Sequence, residues 1–219
     1  MSQNHGFIFE DIMHIGHNGV SKEEYDRVNP EGYIAPFDIT SGVLSDFNGS
    51  VKTAKTNSGI ACGDILRMFK HTKNEDIRFI IGVWDQISKT KKKVHTIYEF
   101  YLTPEHHKSL WGNFEQSMIE EYVDYVKSIP AGKQSQLDNN SIYKAKVKHI
   151  YEVYGKPIMK INTKIDSKKQ RRVQCSFSID NLIDIGIPYN KYEDGYPTEY
   201  NNIKLPLLLN SESRKFNNA

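Results

Sequence analysis

The sequence predicts an α/β (α+β) fold in which a central mixed β-sheet is flanked by helices, and three observations carry that reading. Apolar residues recur at helical spacing near the N-terminus and again after Thr103. Several segments between and beyond them are rich in β-branched and aromatic residues, some strictly alternating. Clusters of Gly, Pro, Asn and Asp separate one segment from the next.

Taken in order, GFIFEDIMHI (6–15) places Phe7, Ile8, Ile12 and Ile15 near helical spacing around Glu10 and Asp11, which predicts a first helix. GYIAPFDI reads as a strand ending at Asp38, with Pro36 demanding an edge or a bulge. FNGSVKTAKT alternates Val51 and Thr53 with Ser50, Lys52 and Ala54, so it reads as a neighbouring strand with Ser50 and Lys52 on one side of its pleat. Asp64 opens DILRMFKH, where Ile65, Met68 and Phe69 form an apolar stripe and a carboxylate suits a helix start. IRFIIGVWDQ and VHTIYEFYL, joined by the lysine-rich ISKTKKK, predict a hairpin. The longest helix is expected over 104–129, from the stripe Leu110, Phe114, Met118, Tyr122 and Val126. IYKAKVKHIYEVY, PIMKINTKI and RRVQCSFSI read as strands, with DSKKQ as the turn between the last two, and the final forty residues as loops and extended segments.

With 219 residues, 38% hydrophobic and 26% charged, the chain has the size and composition of one large domain, 1–219, with a core of its own. No apolar stretch approaches a membrane span and the N-terminus shows no basic region followed by an apolar one, so a cytoplasmic protein without a membrane partner is expected. Cys62 and Cys175 form neither a disulfide framework nor a zinc motif and read as buried thiols, so any metal must sit on oxygen ligands. The net charge of +2 hides an asymmetry. From Lys144 to Arg172, ten Lys and Arg face only Glu152 and Asp166, a local +8 that leaves the remainder near −6. A polyanion is the matching partner.

The order of helix with an acid, strand ending in PFD, strand carrying SVK and then a helix resembles the PD-(D/E)XK nuclease core over roughly 6–102, and the chain is similar to the small type II restriction endonucleases of that superfamily. The resemblance implies a restriction-endonuclease-like catalytic core at about 6–128 and a basic, β-rich C-terminal DNA-binding arm at about 141–219. It further implies Mg²⁺ as cofactor with no organic one, Asp38 and the Val51 carbonyl as ligands, and Lys52 positioning the attacking water. Phosphodiester hydrolysis needs such a set, since a hard cation on carboxylates neutralises phosphate charge and acidifies water. Ser50 stands where the family has Asp or Glu. Asp64, twelve residues after Lys52, is expected to supply the missing acid, with Asp46 as rival, while Glu10 resembles the acid of the family's first helix.

DNA contacts are expected from two stretches. Lys91, Lys92 and Lys93 suit phosphates, and Lys164, Ser167, Lys168, Lys169, Gln170, Arg171, Arg172 and Gln174 combine phosphate-binding with base-reading side chains, Arg172 and Gln174 sharing the outward face if Val173 points inward. The implied activity is cleavage of double-stranded DNA at a short palindrome by a homodimer, leaving 5′-phosphate ends. A DNA repair or junction nuclease, a non-catalytic DNA-binding protein and a ribonuclease are the alternatives.

Overall fold

A computed structural model of the chain describes residues 4–32, 35–195 and 199–212. Its elements run α1 (Asn4–Asn18), α2 (Lys22–Val28), β1 (Gly49–Lys55), β2 (Ile60–Asp64), α3 (Ile65–Asn74), β3 (Ile77–Ser88) and β4 (Lys91–Leu102). A 3-10 turn (Pro104–His106) then leads to α4 (His107–Trp111), α5 (Gln116–Ser128), α6 (Lys133–Tyr154), β5 (Lys160–Ile165), β6 (Arg171–Phe177) and α7 (Ile179–Asp184). Four strands close the chain: β7 (Tyr189–Glu193), β8 (Glu199–Tyr200), β9 (Ile203–Lys204) and β10 (Leu207–Asn210). These elements fall into two compact units, both discontinuous in sequence. Residues 1–58, 76–102 and 187–219 form unit 1; 59–75 and 103–186 form unit 2. None of the four boundaries between these segments falls between 128 and 141.

Unit 1 is built on a five-stranded mixed sheet. β1 lies parallel to β3, β3 pairs antiparallel with β4 as the expected hairpin, and the far edge of β4 is shared by β10 at Lys91–Val94 and β7 at Thr96–Phe100. Helix α1 lies on this sheet with Phe9 and Met13 fully buried among Val51, Ile80 and Ile97. Phe7 and Ile15, two members of the expected stripe, are exposed instead, because the face centred on Phe9 and Met13 at i, i+4 is the one turned to the sheet. The approach is close at Gly82, where a Cβ would stand 2.7 Å from the Phe9 ring. Each such aromatic or aliphatic side chain contributes about 1.5–3 kcal/mol by burial.

Unit 2 carries a three-stranded antiparallel sheet, β2-β6-β5, flanked by α3 and α5. Cys62 and Cys175 are buried in it, and the hydrogen bond that the Cys175 thiol gives to Cys62, reinforced by burial, pushes the Cys175 thiol upward in pKa. Trp111 donates its indole N–H to Thr72 Oγ1 at 2.9 Å, fixing α4 against α3.

Four expectations need correction. Residues 36–38 form bends and not a strand, with an isolated bridge at Ile39; Tyr33 and Ile34 lie outside the described residues. The 104–129 helix breaks at Gly112, whose φ of 61° is left-handed, so that α5 starts only at Gln116. Residues 142–154, read as a strand, belong to α6, at 22 residues the longest helix among those described. The final forty residues are more ordered than expected, since β7 and β10 complete the unit 1 sheet.

Candidate active site

The free edge of β1 organises the site. Among the described residues the chain returns on that side at Ile39, which exchanges two backbone hydrogen bonds with Gly49 (3.0 and 2.7 Å). The bends at 36–38 cannot continue the ladder, so the next edge N–H, that of Val51, needs another acceptor. Asp38 supplies it: its Oδ2 accepts from Val51 N at 2.7 Å. Lys52 then folds back over the edge, its Nζ donating to the same Oδ2 at 2.6 Å and to the Val51 carbonyl at 2.9 Å. Both side chains are about three-quarters buried, at 23% and 27% exposure, a setting in which a charge-assisted pair is much stronger than on an open surface.

Glu10, on α1, is electrostatically coupled to this pair. Its carboxyl pKa is raised, first by burial and second by the charge on Asp38, against the lowering influence of Lys22 and Lys52. Lys22 Nζ lies 3.2 Å from Glu10 and 3.0 Å from Asp26, while its backbone N–H donates to Asp11 at 2.8 Å. Lys22 therefore ties α2 to α1 and steadies Glu10. Sequence reasoning did not single it out, although Ser21 and Glu24 form a capping box that marks the start of α2 one residue before it.

The remaining candidates are placed as follows. Ser50 is buried beside Phe79 in the β1–β3 register, on the same side of the pleat as Lys52. The Val51 side chain lies in the core while its carbonyl accepts from Lys52. Asp64 belongs to unit 2, where its Oδ1 accepts from Arg67 N at 2.9 Å and caps α3. Asp46 lines a cleft of about 720 Å³ together with His17, Arg78 and Glu99. Among the described residues no group of three or more His, Cys, Asp and Glu side chains is gathered to hold a metal. The hard oxygen donors gathered at this edge are the Asp38 carboxylate and the Val51 carbonyl, and both already hold a cation in the Lys52 ammonium. Oxygen donors of this kind are the class that Mg²⁺ takes, commonly one or two protein carboxylates with water and phosphate completing the shell.

The basic residues divide by role. Lys92 is buried at 3% exposure, with Nζ donating to Ser211 at 3.0 Å and standing over the Trp84 ring, which removes it from the phosphate contacts expected of it. Lys93 pairs with Asp194 at 3.1 Å, and Lys91 is exposed. In unit 2, Arg171 spends its guanidinium on the carbonyls of Ile129, Pro130, Asp166 and Gln170, so it braces the turn and is not a free contact. Ser167, Lys168 and Lys169 are exposed, on a turn held by Asp166 Oδ1, which accepts from the N–H of Lys168 and of Gln170. Arg172, Gln174 and Ser176 share the outer face of β6 and stand in register with Lys164, Asn162 and Lys160 of β5. The expected outward pair is thus present, and β5 extends it.

Comparison of the chain with models of known protein families, with curated proteins and with solved structures finds no match in any of the three. Among the described residues, no helix is long and apolar enough to cross a membrane.

Proposed function

We propose that the chain is a Mg²⁺-dependent type II endodeoxyribonuclease that cleaves double-stranded DNA at a short palindromic site as a homodimer, leaving 5′-phosphate ends. The observation that supports it is the meeting of Asp38 and Lys52 on one strand edge, with an ammonium already seated on the carboxylate and carbonyl oxygens that a divalent cation would use, and with Glu10 of α1 electrostatically coupled to both. Asp38, Glu10 and the Val51 carbonyl would hold the ion. When bound it would neutralise phosphate charge and acidify a water.

The chain's own residues supply the rest. Asp38 is fixed by the Val51 N–H, so its second oxygen has a defined direction. Lys52 offers an N–H donor to a phosphate oxygen or to the attacking water and is aimed by its bond to Asp38. Lys22 keeps Glu10 in place from the side of α2. The outer face of β5 and β6, with Lys160, Lys164 and Arg172 beside Asn162 and Gln174, offers both phosphate-binding and base-reading groups.

The test is digestion of plasmid and of mixed DNA and RNA substrates in Mg²⁺ and in Ca²⁺. Discrete DNA fragments in Mg²⁺, lost in Lys52→Ala while binding in Ca²⁺ persists, support the proposal. Binding without cleavage in any divalent ion favours a non-catalytic DNA-binding protein, cleavage of branched DNA alone a junction nuclease, and cleavage of RNA alone a ribonuclease.

A further inference from the structure

Unit 1 contains a second polar centre that the proposed chemistry leaves unused. The cleft at the C-terminal end of α1 exposes one-third of the Arg78 side chain, while Glu99 beside it is buried at 4% exposure. Arg78 is held flat: its guanidinium stacks over the Phe47 ring at 4.0 Å and lies 5.5 Å from the Tyr101 ring. Among the described residues its one acidic neighbour is Glu99, with 3.5 Å between Nη1 and Oε1, longer than an ordinary hydrogen bond. The other Glu99 oxygen accepts from the Tyr101 hydroxyl at 2.7 Å, and Tyr101 in turn accepts from Asn190 at 2.8 Å. A guanidinium with unused donors therefore stands beside a fixed carboxylate with unused lone pairs.

Charge selects the ligand class. Arg78 and Glu99 cancel, Asp46 adds a negative charge to the wall, and His17 is neutral because burial, then Arg78, lowers its pKa to about 4. An isolated oxyanion would meet Asp46 and Glu99, and a cation would meet Arg78. A neutral ligand carrying donors next to an acceptor satisfies both partners at once, and the volume suits a nucleoside.

We propose that this cleft binds a guanine-type nucleobase, with its adjacent N–H donors on Glu99 and its carbonyl oxygen on Arg78. The pairing is the one these side-chain types favour, since carboxylates accept from base N–H groups and arginine donates to the guanine carbonyl. The inference stands independently of cleavage at Asp38 and Lys52, because the ligand is a free nucleoside and the readout is binding.

The experiment titrates the full chain with guanosine and with adenosine, following saturable ligand signals by saturation-transfer NMR. Guanosine should bind about tenfold more tightly than adenosine, a preference of the size that one bidentate base contact gives. Glu99→Gln and Arg78→Ala should each remove that preference, and Lys52→Ala should leave it intact. Because Glu99 is buried and its variant could unfold, Val43→Trp, which fills the cleft from the 42–47 loop, serves as the second variant and should abolish binding with an unchanged circular dichroism spectrum. Equal affinity for the two nucleosides overturns the proposal, as does guanosine binding that survives Val43→Trp.

Discussion

Asp38 and Asp64 both accept a hydrogen bond from a backbone N–H that regular structure leaves without a partner: Val51 N on a strand edge, at 2.7 Å, and Arg67 N at a helix start, at 2.9 Å. Their company differs. Asp38 also holds the Lys52 ammonium and, after burial, is the next cause of the raised pKa of Glu10, so three ionisable groups from three segments act on one another. Asp64 performs a role that helix capping explains by itself. The contrast teaches that a carboxylate near a backbone N–H is weak grounds for a catalytic assignment, whereas one that also gathers a lysine and a second acid is much stronger.

The most severe way to break that comparison is to neutralise both acids in separate proteins. Asp38→Asn and Lys52→Ala should each lower the single-turnover cleavage rate by about 10²–10⁴-fold, the range that a positioned proton-transfer group contributes. Asp64→Asn, which preserves the cap, should cleave at the wild-type rate. Loss of cleavage in Asp64→Asn with an unchanged melting temperature would restore Asp64 as the acid that replaces Ser50.

Arg171 and Arg172 offer the same contrast within unit 2, adjacent in sequence and opposite in use. Removing the Arg171 side chain strands the carbonyls of Ile129, Pro130, Asp166 and Gln170, so Arg171→Ala should cost about 1–3 kcal/mol in urea unfolding. Arg172→Ala, on the exposed face of β6, should change stability by no more than about 0.5 kcal/mol. It should instead weaken binding to the cognate duplex by about 1–3 kcal/mol, with a smaller loss on scrambled DNA. Equal losses on both duplexes would reduce the β5–β6 face to a phosphate contact. For α3, Asp64→Ala should cost about 1 kcal/mol and Asp64→Asn little, read from thermal melts.

Local pattern made much of unit 1 legible. The β3–β4 hairpin, β1 and α1 follow from alternation and helical spacing, whereas Asp38 meets Lys52 from a run of bends and not, as expected, from a neighbouring strand. What failed had physical causes. In α6 the inward stripe includes Gln136, Asn139 and Tyr143 as well as Val147, Ile150 and Tyr154, none of them fully buried, so its helical period is hidden among polar residues while Ile142, Val147 and Val153 imitate a strand. The strand β2 is short, glycine-containing and bulged between Ala61 and Gly63, which erases alternation. Arg78 and Glu99 lie 21 residues apart and meet only through the register of β3 against β4. The lone acid in VHTIYEFYL was the available signal, since an acid in an apolar strand needs a partner.

The smallest expected effect concerns Glu10 and its proton. Burial, followed by the Asp38 charge, raises its folded-state pKa above the ordinary value of 4.5, so the folded chain binds this proton more tightly than the unfolded chain does. The favourable contribution of protonated Glu10 is therefore complete below about pH 4.5 and is lost as pH rises through the higher folded-state value. Above the folded-state value the ionised carboxylate is a mild liability that a bound cation would relieve. Glu10→Gln should thus flatten the dependence of the melting temperature on pH just above 4.5, partly offset by loss of the 3.2 Å contact with Lys22, and should also shrink the rise in melting temperature that the proposed function predicts for the wild-type chain on adding Mg²⁺. Melting curves taken across pH with and without Mg²⁺ measure both. An unchanged pH profile together with an unchanged Mg²⁺ response would remove Glu10 from the cation site and leave Asp38 as its lone carboxylate.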